Sequence, residues 1–322
     1  MSSMFALHHD NGELRQQALE LPPLAADEVQ IAVHYAGVNR ADVLQLAGLY
    51  PAPPGSSPII GLEVSGIVVA CGRSVQHLAI GDQVCALLSG GGYASHVNVP
   101  SGQVAPIPAG LSLADGAAIC EVFATAWFNC FMLAHLQPGE RLLVHAGASA
   151  VGQAAIQLAR WQHIDCFVTV GSEAKLTHCL ALGASAGWNR QQGDFVAAVK
   201  QWGGADVILD CVGANYLASN QQVLNTDGRL LLIGLLGGRT AELDMGLMLV
   251  KRQRLQGSTL RSQSVAVKTQ IMRQLQQQLW PLFNEGQLTT SIDTVYPLAE
   301  ANQALKRLAG NDTMGKLLLQ VV

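Results

Sequence analysis

The chain of 322 residues holds no Cys-x-x-Cys pair; its seven cysteines (Cys71, Cys85, Cys120, Cys130, Cys166, Cys179 and Cys211) are dispersed. That spacing argues against a zinc knuckle and a disulfide scaffold, and for a reducing compartment. Charged residues reach only 13% and the formal net charge is -4, with no arginine-rich arm, so nothing selects nucleic acid as a partner. The fullest basic cluster, Lys251-Arg252-Gln253-Arg254, is short and reads as a solvated turn. The N-terminal stretch MSSMFALHHDNGELR lacks a basic start and a sustained apolar run, so it does not read as a signal peptide. The best membrane-span candidate, residues 114–136, carries Asp115, Glu121 and Asn129 and reads as a buried amphipathic helix pair. A cytoplasmic chain is the expectation, with neither a nucleic-acid nor a membrane partner.

What is abundant is apolar: 49% of residues, on a chain long enough for two domains. The first third is rich in Gly, Pro and short β-branched runs. Strands are expected at 29–36, 67–70, 83–88 and 94–99, with an irregular loop marked by Pro51, Pro53, Pro54, Gly55 and Pro58. This is an all-β-like module, read as a small barrel. Ser112 with Asp115 three residues on marks a helix start, and an apolar helical stretch is expected to run through Leu136. Strands (141–145, 165–170, 207–210, 229–234) then alternate with helices (151–160, 172–182, 216–225), which predicts a parallel sheet covered on both faces. A long Gln-rich helix is expected at 265–283, and strands at 291–296 and 316–321. The fold class is α/β.

The segment RLLVHAGASAVGQAAIQLAR is the most informative. A buried strand ends at His145, residues 147–152 form a small-residue turn, and an amphipathic helix begins at once. Such a turn lets a cofactor pyrophosphate approach the backbone while the helix N-terminus points its N–H groups at it. Gly147, Ser149, Ala150, Val151 and Gly152 are the candidates. Ser149 stands where Gly-x-Gly-x-x-Gly has its middle glycine, but it is small and can donate to a phosphate. Folds that prefer NAD place Asp or Glu about 20 residues after the turn, at the end of the next strand. Here Ser172 and Lys175 would suit a 2′-phosphate, with Arg190 closing the pocket, so NADPH is the expected cofactor. Glu173 dissents: facing the ribose, it would favour NAD. Lys175 and Arg190 also admit a plain surface role.

Several collinear segments, among them AGVNRADVLQLAGLYPAPPG (36–55), GLEVSGIVVACG (61–72), IGDQVCALLSGGGYASHV (80–97), HAGASAVGQAAIQLA (145–159), GRLLLIGLLGG (228–238), GSTLRSQS (257–264) and MGKLLL (314–319), carry a resemblance across nearly the whole chain. It resembles the quinone oxidoreductase (zeta-crystallin-like) branch of the zinc-independent medium-chain dehydrogenase/reductase superfamily, and most of all the tumour-suppressor-inducible quinone oxidoreductase subgroup. The resemblance implies a GroES-like β-rich catalytic domain (1–118, returning at 260–322) and a Rossmann doubly wound parallel-sheet NADPH-binding domain (119–259). It further implies an active site in the cleft between them, and a homodimer formed through the nucleotide-domain sheet edge.

Zinc-dependent relatives hold their metal with a Cys after the first turn, a His in Gly-His-Glu and a third Cys or carboxylate. Asn39, Leu62 and Glu121 stand at or near those positions, and one carboxylate without such partners does not make a zinc site. Metal independence suits quinones. A simple ketone needs its developing alkoxide stabilised, whereas a hydroquinone anion spreads its own charge. From the family pattern, Asn39 would orient the nicotinamide ribose or polarise the acceptor oxygen, and Tyr50 would hydrogen-bond the substrate or protonate the product. Thr125 would meet the nicotinamide amide, Gly234, Leu235 and Gly237 would border its ring, and Gly90, Gly91 and Gly92 would leave room for approach. Leu260, Arg261 and Lys316 would reach the cofactor from the returning catalytic segment. Asn39 and Gly90 to Gly92 could serve only as turn residues, Tyr50 only as packing, and Lys316 as a surface lysine. The function expected is NADPH-dependent hydride transfer to quinones or similar small conjugated carbonyl acceptors. An NADPH-dependent enoyl-thioester reductase using Tyr50 as proton donor, and a nucleotide-binding structural or regulatory protein with little turnover, remain as alternatives.

Overall fold

The computed structural model describes residues 3–10 and 12–322, and the chain divides into two compact units: the residues up to Ala124 together with Leu260–Val322, and Thr125–Thr259. The first division falls six residues beyond the 118 expected from sequence, inside a helix.

The first unit begins with a hairpin of β1 (Ser3–Asp10) and β2 (Glu13–Glu20), which the sequence reading missed. It continues through β3 (Glu28–Val38), α1 (Arg40–Leu46), β4 (Glu63–Cys71), β5 (Gln83–Leu87), β6 (His96–Pro100), β7 (Val104–Pro106), α2 (Leu113–Gly116) and α3 (Cys120–Trp127). The second unit holds β8 (Arg141–His145), α4 (Ala150–Trp161), β9 (Asp165–Val170), α5 (Glu173–Leu182), β10 (Ala186–Asn189), α6 (Val196–Trp202), β11 (Ala205–Asp210), α7 (Ala214–Val223), β12 (Leu224–Leu232), α8 (Met245–Lys251) and β13 (Arg254–Gly257). The chain then returns to the first unit as α9 (Val265–Gln278), α10 (Trp280–Asn284), β14 (Ile292–Pro297), α11 (Ala301–Ala309) and β15 (Lys316–Gln320).

In the first unit the sheet order is β14-β15-β3-β4-β5-β7, with β6 also paired to β3; all pairs are antiparallel except β14 with β15. Val29, Ile31 and Val33 recur every second residue on β3 and are fully buried with Val64, Val68, Val84, Leu317 and Leu319. This is the inward face of a pleated sheet. In the second unit the order is β10-β9-β8-β11-β12-β13 and every pair is parallel. Counted from β8, that is 3-2-1-4-5-6, the doubly wound dinucleotide order, with its switch point between β8 and β11. Leu142, Leu143 and Val144 are all buried, as a strand covered by helices on both faces requires.

The stretch read as a buried helix pair is one: α2 and α3 are separate, and a π-helix (Phe128–Leu133) follows α3. Residues Leu113–Leu133 are long and apolar enough to cross a membrane, but 72% of that window is buried inside the protein. The helix expected at 265–283 breaks at Leu279, because Pro281 in the first turn of α10 offers no amide hydrogen to continue α9.

Candidate functional site

In the second unit β8 ends at His145, and Ala146 takes a left-handed conformation (φ 54°) that swings the chain into the turn. A Cβ on Gly147 would lie 2.7 Å from the Val168 side chain, and one on Gly152 would lie 2.5 Å from the Gly147 carbonyl oxygen. Only hydrogen fits at either place, so the strand-to-helix turn closes tightly. Ser149 caps α4, its hydroxyl oxygen accepting from the Gly152 N–H at 3.1 Å. That leaves the hydroxyl proton to give. Ala150 and Val151, both half-buried, occupy the first turn, where amides have no intrahelical acceptor.

Beneath the turn lies a ladder the sequence reading missed. His145 Nδ1 is 2.8 Å from the Thr169 hydroxyl and Nε2 is 2.7 Å from the Asn220 side-chain oxygen. The Asn220 amide donates to Asp210 at 3.0 Å, and the other Asp210 oxygen accepts the N–H groups of Val212 (2.6 Å) and Gly213 (3.1 Å). Because the Asn220 oxygen only accepts, Nε2 carries the proton and Nδ1 accepts from Thr169. Burial lowers the His145 pKa and keeps the ring neutral. The ladder ties β8, β9, β11 and α7 together at the switch point.

At the end of β9, Ser172 caps α5, accepting from the Lys175 N–H at 3.3 Å. The Arg190 guanidinium lies over Gly171, 3.3 Å from where a Cβ would stand. Ser172 and the Arg190 guanidinium therefore stand together at the end of β9, with Lys175 on the first turn of the helix that Ser172 caps. Glu173, the dissenting residue, is turned onto Asn189 and Gln192, whose amides reach its Oε1 at 2.8 and 3.0 Å. Gly234, Leu235 and Gly237 form a loop beyond β12 that packs on the 211–213 turn, the Gly237 N–H donating to the Val212 carbonyl at 2.7 Å. Thr125 is half-buried and its carbonyl accepts from Asn129 at 2.8 Å.

The first unit gathers a different set. Lys316, expected as a cofactor or surface lysine, is 2% exposed at the start of β15. Its ammonium pairs with Glu63, itself wholly buried, and donates to the Asn39 oxygen at 2.6 Å, while the Asn39 amide donates to Glu63 at 3.2 Å. Asn39 is thus held by side chains from β4 and β15 at the head of α1. Its own N–H donates to Asp42 at 2.7 Å; Asp42 also accepts from the buried Tyr93 hydroxyl at 3.0 Å. Desolvation raises Asp42 to about 6, and the buried Tyr93 hydroxyl is raised too. The second Glu63 oxygen accepts the Glu121 N–H at 2.9 Å.

Tyr50 and Arg261 meet: the guanidinium lies 5.5 Å from the Tyr50 ring centroid and donates to the carbonyls of Tyr50 (3.2 Å) and Ser89 (2.8 Å). Leu260 beside it is buried. The wholly buried Lys268 on α9 donates to the Ser89 hydroxyl and to the Arg261 carbonyl (2.7 Å). Gly90, Gly91 and Gly92 let their loop pass the 57–61 backbone: a Cβ on Gly90 would meet the Ser57 carbonyl at 2.5 Å, and one on Gly92 the Gly61 carbonyl carbon at 3.0 Å. Sequence reasoning passed over Glu63, Asp42 and Lys268. For Lys268 a signal existed, since it shares a helical face with Ile271, Met272 and Leu275, all buried.

Residues 25–109 match the family described as alcohol dehydrogenase GroES-like domain, and residues 150–296 the family described as zinc-binding dehydrogenase. The chain belongs to the medium-chain dehydrogenase/reductase superfamily. A 218-residue stretch, 66% of the chain and 10% of the relative, is 38% identical to phenolphthiocerol synthesis polyketide synthase type I Pks15/1 of Mycobacterium marinum. The chain spans only about a tenth to a seventh of the curated relatives of this kind. Among solved structures, CurK enoyl reductase is similar at 28% identity and TM-score 0.85, covering 98% of this chain and 99% of its own. Escherichia coli quinone oxidoreductase complexed with NADPH is similar at 26% and 0.86, covering 99% and 100%. Within this superfamily the first unit is the GroES-like part and the second the Rossmann-like part.

The second matching family is described as zinc-binding, a metal that would need ligands at or near Asn39, Leu62 and Glu121. At the expected positions stand a carboxamide already engaged by Lys316 and Glu63, the buried Leu62, and Glu121. Catalytic zinc needs three protein ligands and an open position, and this donor set does not fit it. A dinucleotide does fit the second unit: the turn excludes side chains where the backbone must be approached, and Ser172 and the Arg190 guanidinium stand at the end of β9.

Proposed function

We propose that the chain is a zinc-independent, NADPH-dependent oxidoreductase that delivers hydride to quinones or similar small conjugated carbonyl acceptors. The observation that carries this reading is Asn39, held by Lys316 and Glu63 where zinc-dependent relatives place a metal ligand. Bound NADPH would supply the hydride. The protein's part is placement and charge. The turn at Gly147 to Gly152 takes the pyrophosphate on Ser149 and the amides of Ala150 and Val151. Ser172, Lys175 and Arg190 take a 2′-phosphate, and Glu173 does not oppose them because Asn189 and Gln192 occupy its Oε1. The Asn39 amide is spent on the Gly37 carbonyl and Glu63, so it is the cations around it that offer an acceptor oxygen positive charge. That suffices for an acceptor whose anion is delocalised. The likeness to an Escherichia coli quinone oxidoreductase supports this reading.

A second reading, enoyl-thioester reduction with Tyr50 as proton donor, is supported by the likeness to CurK enoyl reductase and to the polyketide synthases. The Arg261 guanidinium lies over the Tyr50 ring and would hold it in place. The test is NADPH oxidation by the purified protein with a quinone panel and with an enoyl thioester, run in parallel with NADH. Turnover of quinones with NADPH supports the first reading and turnover of the thioester alone the second. Tight NADPH binding without turnover would support a non-enzymatic role.

Copies of the chain are proposed to pair through β13, the outer strand of the second unit's sheet. Beside it in sequence, α8 exposes Met245, Leu249 and Val250 by 72 to 77%. An unpaired parallel edge flanked by apolar side chains suits a second copy. Light scattering should give a dimer mass, and Leu249→Glu with Val250→Glu a monomer.

A further inference from the structure

Six ionisable side chains meet in the first unit: Asp42 on α1, Glu63 on β4, Glu121 on α3, Arg261 in the segment before α9, Lys268 on α9 and Lys316 on β15. Five of them have hydrogen-bond or ion-pair partners. Asp42 accepts from Asn39 and Tyr93 on Oδ2, although its Oδ1 is buried without a partner; Glu63 pairs with Lys316, and Arg261 and Lys268 donate to carbonyls and to Ser89. Glu121 is the exception. It is 9% exposed, its Oε2 is buried without a hydrogen-bond partner, and no salt bridge to it occurs among the described residues. Its own N–H is spent on the Glu63 carboxylate at 2.9 Å, which sets a like charge against its side chain. A carboxylate in that position would be both desolvated and repelled, whereas a carboxylic acid would be neither. Across the cluster, Arg261 Nη2 is likewise buried without a partner. One donor of a guanidinium is left unused, in a side chain 2% exposed.

We propose that Glu121, held as a carboxylic acid beside the Glu63–Lys316 pair, sets the charge of this cluster and so its capacity to stabilise an oxygen anion formed when an acceptor takes hydride. With Glu121 neutral, Asp42 and Glu63 face Arg261, Lys268 and Lys316, and one positive charge is in surplus. Hydride arrives at an acceptor carbon with its electron pair, the carbonyl π pair moves to oxygen, and solvent later protonates that anion. The surplus cation acts on the anion, with Glu121 as a positioning residue that never touches the acceptor. The ligand class is therefore acceptors that become phenolates or enolates. This rests on the function proposed above.

Burial, followed by the Glu63 charge, pushes Glu121 up to about 8, and burial pulls Lys268 down to about 8. Both lose a proton in the same alkaline window, so the surplus charge disappears as pH rises.

Two measurements test this. Infrared spectra of the resting protein at pH 7 should show a carboxylic-acid C=O band that shifts on labelling with 13C-glutamate, which separates it from Asp42. The band should be absent in Glu121→Gln and titrate away near pH 8 in the native chain. The ratio of quinone reduction rates, Glu121→Gln over native, should rise about tenfold between pH 7 and 9, because the amide stays neutral while Lys268 titrates in both proteins. Absence of a glutamate-derived acid band at pH 7 overturns the proposal. So does a band accompanied by a rate ratio that does not change with pH. Should no acceptor turn over, the function proposed above fails while the infrared band still reports on Glu121.

Discussion

The two units solve the burial of polar groups in opposite ways. Under the glycine turn of the second unit, Thr169, His145 and Asn220 are neutral, and the one charge, Asp210, is met by two backbone amides and the Asn220 side chain. In the first unit's cluster, charge is buried against charge, and Asp42 Oδ1, Glu121 Oε2 and Arg261 Nη2 are left over; the second unit leaves only neutral atoms over, such as Gln153 Oε1. A site that receives a phosphate on backbone needs rigidity, which a satisfied neutral ladder gives. A site where negative charge develops needs fixed cations in a dry place.

The sharpest way to break this contrast is to remove a buried ion. Lys316→Met strands the wholly buried Glu63 and should cost about 3–5 kcal/mol, read as a shift in the urea unfolding curve. The neutral ladder should cost less. His145→Phe leaves the Thr169 hydroxyl and Asn220 oxygen unpaired, for about 1–3 kcal/mol by the same measurement, with NADPH binding weakened in step.

pH sharpens the comparison because the signs oppose. Glu121 titrates near 8 in the fold against 4.5 as its ordinary value, so the folded state holds its proton more tightly. Its contribution to stability is full below about 4.5 and falls as pH rises to about 8. His145 is lowered from 6.5, so the unfolded chain takes up the proton first and stability is lost as pH falls below 6.5. Hydrogen exchange followed by peptide should show alkali loosening β4 and α3, and acid loosening β8 and α7. Glu121→Gln should abolish the first trend and leave the second.

The smallest effect expected is on cofactor choice. Lys175→Ala with Arg190→Ala should raise the NADPH KM about tenfold, equivalent to about 1.4 kcal/mol, and leave that for NADH nearly unchanged. Equal changes for both would remove the 2′-phosphate assignment.

Much of the second unit was legible in the sequence because its signals are local. A strand, a small-residue turn and an amphipathic helix follow one another between 141 and 161, and their repetition pointed to a parallel sheet, although the short edge strands β10 and β13 were missed. The first unit's cluster was not legible. Glu63 sits in an apolar run, Gly61-Leu62-Glu63-Val64, and only the pairing of β15 with β3 and of β3 with β4 brings Lys316 beside it from the far end of the chain. Lys268 reads as a solvated lysine until its helical face is counted. Asp42, three residues after Asn39, was within reach as a helix-start pair, but Tyr93 as its partner was not. The hairpin β1–β2 escaped because most of β2 is exposed and lacks the alternation of a half-buried strand.

Calorimetric titration of NADPH into the native chain and into Gly152→Val tests the central claim most directly. Saturable binding at one site per chain, lost in the variant because a side chain there would strike the Gly147 carbonyl, is the predicted result. No heat with the native chain, or equal affinity in the two, would contradict it.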